Sequence, residues 1–330
     1  MKKGVLLINL GSPDSTDVQD VRKYLREFLM DPLVIDSPYL IRKLVVELAI
    51  LPKRPADSAE AYKKIWWKEG SPLIVLSKRL QEKLGEKSEI PVALGMRYQN
   101  PSIKSAMQEL YDQGVREVLV IPLYPQYTMS STETVVLKTN ELQKKFFKDL
   151  NLTFLNSFYN RPDYIKVLAD RIREQLPENF DKLLFSYHGI PERHDKKAVE
   201  KSKKFPELKI KTYRDQCYET TELVRNELNL PDEKVTVSFQ SRLGKDPWIK
   251  PYTDFVLKDF PAEGVKNIAV VAPAFVSDCL ETLEEIAMGY EELFMESGGE
   301  NYTYLECLND SDAWVEVLLK WINGWESASN

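Results

Sequence analysis

The octapeptides LLINLGSP (residues 6–13) and LFSYHGIP (residues 184–191) align without a gap, setting Leu10 against His188 and Gly11 against Gly189. Each is an apolar run of strand length, broken by a glycine and closed by a proline. That is the pattern of a buried strand running into a turn. Two further pairs follow in the same order. VALGMRYQNPSIK (92–104) lies against VSFQSRLGKDPWIK (237–250) with one insertion, which sets Arg97 against Arg242. GVREVLVIPLY (114–124) lies against GVKNIAVVAPAF (264–275), again with one insertion. Three matches in one order imply two similar α/β halves, divided near residues 150–165.

Outward from these segments, short apolar runs alternate with longer, charged, helix-periodic stretches. GVLLINL, PVALGM, EVLVIPLY, LTFLN, KLLFSY, KVTVSF and NIAVVAPAF are the predicted strands; DVQDVRKYLREFL and SIKSAMQELYDQG are typical of the intervening helices. The alternation predicts parallel sheets with helices on both faces. Such sheets bind ligands beyond the carboxyl ends of their strands. The turns at His188, Arg242 and Pro273 are therefore expected on one wall of a cleft between the halves, with Leu10, Arg97 and Pro122 on the other. The expected divisions are 1–160, 161–310 carrying His188 and Glu281, and a closing helix over 311–330. Trp314, Val315, Leu318, Leu319 and Ile322 would pack that helix on one of the halves.

Bulk properties narrow the function. The chain has 330 residues, 43% hydrophobic and 29% charged, with a net charge of −6, which argues against a nucleic-acid surface. Three widely spaced cysteines, Cys217, Cys279 and Cys307, point to a reducing compartment. No apolar run reaches the length of a membrane span, and the apolar start is too short for a signal peptide. The expected location is cytoplasmic. Single glycines in NLGSP and YHGIP, without GxGxxG or GxxxxGK[ST], leave nicotinamide and ATP chemistry without support.

Three features are unusual. His188 is one of two histidines and stands where a strand ends; it is either a hydrogen-bonded structural residue, or a base or ligand. In PAFVSDCLETLEEIAMGYEE (273–292), a helix starting near Asp278 would stack Glu281 and Glu285 one turn apart on one face. Two such acids either complement the helix dipole or repel, so that one holds its proton more tightly. One histidine with one or two glutamates is an incomplete metal site, suited to a metal delivered onward to a substrate. Finally, residues 30–55 include a stripe of Ile41, Leu44, Val45 and Leu48 with Leu40, Val46, Ala49 and Ile50 around it. Such a segment is buried on all sides, or offers one side to an apolar ligand or a membrane.

LLFSYHGIPERH, SFQSRLGKDPWIKPYTD and PAFVSDCLETLEEI closely resemble the signature segments of the ferrochelatases, type II chelatases that insert ferrous iron into a porphyrin in haem synthesis. INLGSPDS, WWKEGSPL (66–73) and ALGMRYQNPS (93–102) resemble the same family, so the likeness runs from about residue 4 to 325. It implies two Rossmann-like halves around a cleft and a lyase that turns protoporphyrin IX into protohaem with release of two protons. On this resemblance His188 is the active-site histidine, Glu281 the carboxylate facing it, and Glu285 the next acid of a line along the helix. His188 and Glu281 would be the residues meeting the metal. Arg54 matches a propionate-contacting arginine, Tyr62 and Arg97 pocket-lining positions, and Gln240, Ser241 and Trp248 positions near the porphyrin or its rim. The 30–52 stretch matches the lip over which the macrocycle enters, with peripheral membrane contact implied.

Departures from the family pattern are informative. Gly289 stands where some relatives carry a third acid, one helical turn beyond Glu285. Nothing after Cys307 could hold a [2Fe–2S] cluster, so no cofactor is expected and Fe2+ is a substrate. Leu10 occupies a place where the coproporphyrin-using branch carries a tyrosine, which favours protoporphyrin IX. Alternative readings are a chelatase for another metal or tetrapyrrole (cobalt or nickel, coproporphyrin III) and a non-catalytic haem or porphyrin carrier that would not need Glu281. Oligomeric state is left open.

Overall fold

A computed structural model describes residues 1–204, 211–242 and 246–328. They gather into two compact units: 1–124, 129–156 and the chain from Asn309 onward in the first, and 125–128 with 157–308 in the second. The first unit runs β1 (Lys2–Gly11), α1 (Val18–Leu29), α2 (Tyr39–Leu44), α3 (Arg54–Ile65), α4 (Pro72–Lys87), β2 (Val92–Tyr98), α5 (Ile103–Asp112), β3 (Val115–Pro122), α6 (Thr134–Phe146) and β4 (Asn151–Phe154). The second runs α7 (Pro162–Gln175), β5 (Lys182–His188), α8 (Glu192–Lys204), α9 (Tyr213–Leu228), β6 (Val235–Gln240), α10 (Thr253–Asp259), β7 (Asn267–Val271), a π-helix (Glu281–Tyr290), α11 (Glu291–Glu296) and β8 (Asn301–Leu305). The closing helix α12 (Asp312–Ala328) packs on α4 of the first unit through buried Trp314, Val315, Leu318 and Ile322.

Each unit carries a four-stranded parallel sheet, ordered β2-β1-β3-β4 and β6-β5-β7-β8. The central strands read as unbroken apolar runs because helices cover both sheet faces: Val5, Leu6, Leu7 and Ile8 of β1 are all buried, as are Leu183, Leu184 and Phe185 of β5. In each sheet the chain steps first to one side of the central strand and then to the other. That reversal makes a switch point between β1 and β3, and again between β5 and β7.

Hydrogen-bond register confirms the repeat and corrects its details. Leu6 pairs with Ala93 and Val120, and Leu184 with Thr236 and Val270. Counting from those pairs, Arg97 corresponds to Gln240, not to Arg242, and Gly114 to Gly264 without any insertion. Gln99 and Ser241, one register position apart, take left-handed backbone angles, φ 62° and 65°. Met96 and Phe239 each donate a backbone bond, to Pro101 O at 2.6 Å and Pro251 O at 2.8 Å. The similar tails of the two segments had drawn the alignment out of register, since the second loop is longer. β8 was missed altogether: NYTYL is short, and an edge strand that is half-exposed lacks an apolar run.

Gly11 closes β1 at φ 108°, where a Cβ would stand 2.0 Å from Tyr98 O. Backbone strain and this backbone clash add. Gly11→Ala is expected to destabilise the protein by about 3 kcal/mol or more, read from urea unfolding.

The 30–52 segment is apolar on both sides, and the structure decides which side is covered. Val46 and Leu51 turn inward onto Leu29 of α1. The stripe seen in the sequence faces out: Ile41, Leu44, Val45 and Leu48 are 53%, 59%, 41% and 71% exposed, joined by Tyr39 and Leu40. A π-helical turn over Val45–Ile50 continues α2, so the segment is not one regular α-helix. Among the described residues no helix is long and apolar enough to cross a membrane.

Candidate active site

His188 is the last residue of β5, beside the switch point of the second sheet, and the chain leaving β7 runs through Pro273 to the π-helix. Gly189 follows because nothing larger fits: a Cβ there would stand 2.7 Å from Gln240 O and 3.2 Å from the Trp248 ring. The imidazole is half-buried, with Phe275 edge-on at 6.3 Å between centroids. Its Nδ1 lies 2.7 Å from Gly189 O. A carbonyl can only accept, so Nδ1 carries a hydrogen, and in the neutral imidazole Nε2 keeps its lone pair. No hydrogen bond engages Nε2 among the described residues. Tyr213 of α9 donates to His188 O at 2.9 Å, holding the strand end from behind.

Glu285 is the best-defined acid. Ser241 Oγ donates to its Oε2, and Tyr290 OH donates to Oε1 at 2.9 Å. Burial is the largest influence on it and lifts its pKa above the ordinary 4.5; the Ser241 bond, the His188 imidazole and the Tyr290 bond pull back, and the Glu281 charge adds to the rise. Glu281 opens the π-helix, half-buried, and its carboxylate engages the buried thiol of Cys279. Upstream, Thr282 Oγ bonds Asp278 at 2.9 Å and Tyr304 OH bonds it at 2.5 Å, which fixes the start of the helix. His188, Glu281 and Glu285 thus belong to one unit, and both of the others act electrostatically on Glu285.

The sign of the Glu285 shift gives a stability prediction. A folded-state pKa raised above the unfolded value contributes stability that is fully present below 4.5 and is lost as pH rises through the folded value. Glu285→Gln, which mimics the protonated acid, is expected to match wild type at low pH. Near neutrality it should be the more stable of the two in thermal unfolding.

The π-helix alters the expected spacing. An α-helix would have set Gly289 one turn beyond Glu285; i→i+5 winding sets Tyr290 there instead. Tyr290 was therefore missed, as was Tyr213, whose role needs the packing of α9 to be seen.

The remaining sequence-predicted residues divide. Gln240 is buried, its Oε1 accepting from Ser186 Oγ at 2.6 Å while Nε2 has no partner. Ser241 holds Glu285, and half-buried Trp248 backs Gly189. These lie with His188 in the second unit. Leu10, Arg54, Tyr62 and Arg97 lie in the first. Leu10 is half-buried at the end of β1. Arg54 is exposed at the start of α3 and carries no ion pair among the described residues. Tyr62 is buried edge-on to Tyr24 and Trp66. Arg97 has its guanidinium committed to the buried Asp31, a residue the sequence did not single out. Among the described residues no three His, Cys, Asp or Glu side chains gather closely enough to hold a metal.

The family model described as Ferrochelatase matches residues 2–324. A curated protein named Ferrochelatase from Ectopseudomonas mendocina (strain ymp) is 47% identical over 325 residues, covering 95% of each chain. Another of that name from Pseudomonas aeruginosa (strain UCBPP-PA14) is 46% identical over 328 residues, covering 96% of each. Among solved structures, SirB from Bacillus subtilis with Fe3+ superposes with a TM-score of 0.59 at 10% identity, over 98% of this chain and 95% of that one. The sirohydrochlorin chelatase SirB from Bacillus subtilis subspecies spizizenii in complex with cobalt gives 0.55 at 11%, over 97% and 93%. At such identity the likeness carries the fold alone.

Proposed function

The chain belongs to the ferrochelatase family, lyases that insert iron into protoporphyrin, and we propose that it makes protohaem from Fe2+ and protoporphyrin IX at the His188 end of the second sheet. The observation that carries the assignment of the site is an imidazole at a strand end that donates from Nδ1 to Gly189 O, electrostatically coupled to Glu285, a carboxylate held by Ser241 and Tyr290.

Metal insertion has to remove two pyrrole protons and leave two ring nitrogens bonded to iron. His188 Nε2 is free to take a pyrrole N–H proton, and the imidazolium so formed is stabilised electrostatically by the Glu285 carboxylate. Glu285, whose pKa burial raises above the ordinary carboxylate value, passes protons outward. Ser241 and Tyr290 keep that carboxylate in place through each cycle. Glu281 takes protons from Glu285 or presents Fe2+ to the ring. Binding of the propionates holds the macrocycle while it domes, and the exposed Arg54 of the first unit has the chemistry for charge-assisted bonds to a carboxylate. Doming requires roughly 1–5 kcal/mol, within the reach of binding energy remote from the ring nitrogens. The exposed Leu40, Ile41, Leu44 and Leu48 form an apolar lip suited to a flat macrocycle or to the surface of a membrane.

The test is spectroscopic. Purified protein is mixed anaerobically with protoporphyrin IX and Fe2+, then with Co2+ or Ni2+ and with coproporphyrin III, and the absorption bands are followed. Catalytic appearance of protohaem is expected. Binding of porphyrin without turnover would leave the carrier reading.

A further inference from the structure

We propose that Tyr302 of the edge strand β8 is a positioning residue for metal insertion: its hydroxyl holds the π-helical winding that brings Tyr290 onto Glu285. The inference rests on Glu285 being one of the proton-moving groups. Winding of the i→i+5 kind is rare beyond a single turn, yet here it runs for ten residues, Glu281–Tyr290. Nothing in ETLEEIAMGY forbids an ordinary α-helix. The segment has no proline, and its Glu, Leu, Ala and Met are good helix formers. Contacts from outside the helix therefore have to select the wider winding.

β8 supplies them. Tyr302 and Tyr304 stand two residues apart on the strand and so share one face of it. Both pack against the core cluster that contains the fully buried Ile286. Tyr302 OH donates to Ile286 O at 2.7 Å, in the middle of the π-helix, and Tyr304 OH donates to Asp278 at 2.5 Å, ahead of its first residue. In an α-helix the donor to Ile286 O would be Tyr290 N, four residues on. A hydroxyl that claims this carbonyl from the side competes with that bond, and a side chain inserted into the i→i+4 ladder is a known cause of local rewinding. The consequence falls on Glu285. With i→i+4 winding, Gly289 would stand one turn beyond it and offer no side chain. With the wider winding Tyr290 stands there, and its hydroxyl donates to Oε1 at 2.9 Å while Ser241 holds Oε2. Both carboxylate oxygens are thereby fixed.

Tyr302→Phe keeps the ring and its contact with Phe294, 6.2 Å between centroids, and removes only the hydroxyl. Its kcat for iron insertion should fall about ten-fold, as expected for a displaced catalytic group, with the KM for protoporphyrin IX within about two-fold of wild type. Tyr290→Phe should lose a similar factor. The double variant should be no slower than the slower single one, because both changes remove the same bond to Glu285. A crystal structure of Tyr302→Phe should show residues 286–290 rewound to i→i+4 bonding and Tyr290 away from Glu285. If Tyr302→Phe does not fold, Tyr304→Phe releases the other end of the same hold and should show the same non-additivity with Tyr290→Phe. A merely structural Tyr302 would lower the unfolding temperature, and any loss of rate would multiply with that of Tyr290→Phe. Multiplied losses, an unchanged kcat, or a π-helix retained with Tyr290 on Glu285 overturns the proposal. Should wild type show no metallation, the proposed function fails instead, and the crystal structure of the variant alone decides whether Tyr302 holds the winding.

Discussion

His188→Ala should fold as wild type does and lose about 10²–10⁴-fold in the rate of iron insertion, the usual worth of a positioned general base. Folding is preserved because the bonds around residue 188 are backbone bonds. Its ladder to Gln240 and the bond from Tyr213 OH to its carbonyl survive removal of the ring, and Nδ1 was bonded only to the neighbouring Gly189 O. Thermal unfolding checks the fold, quenching of porphyrin fluorescence checks binding, and the haem absorption bands report the rate. A mutant that metallates at the wild-type rate would remove His188 from the mechanism and return it to the structural role a histidine at a strand end can have.

Glu281→Gln is the second large effect. The amide keeps the shape and can still accept from the Cys279 thiol, but it carries neither charge nor proton. We expect a fall in kcat of about 10²-fold, at the lower end for an acid–base group, with porphyrin affinity within two-fold. A second signature follows from the coupling to Glu285. The Glu281 charge contributes to the raised pKa of Glu285, so its removal lets that pKa fall, and the acid limb of the pH–rate profile should move to lower pH. Loss of rate with an unmoved profile would place Glu281 on the iron side of the reaction; an unchanged rate would exclude it from both sides.

Burial on both sheet faces forces central strands to be written as apolar runs, which is why LLINLGSP and LFSYHGIP match without a gap and why the sequence predicts two parallel sheets. It also explains why the edge strand NYTYL escaped notice. His188 stood out as one of two histidines, placed at a strand end, and the acids of residues 281–285 by their clustering, but residue type alone left each open to a structural reading and the family resemblance singled them out. Register was less legible. The tails around Arg97 and Arg242 look alike, but hydrogen bonds are counted from the strand interior, and they set Arg97 opposite Gln240.

Local composition, then, was sufficient for the twofold α/β plan and for an apolar segment over 30–52, since each is imposed by burial pattern, and it marked the strand-end histidine and the acidic pair without deciding their roles. Tertiary structure decided the rest. Tyr290 reaches Glu285 because the helix is wound i→i+5, a choice no residue spacing announces. Ile41, Leu44, Val45 and Leu48 face outward because Val46 and Leu51 claim the inner side. Asp31 becomes a hub because three donors distant in the chain converge on one carboxylate. Long-range convergence of polar groups depends on where the backbone takes them, and a linear string of side chains does not encode that in any local period.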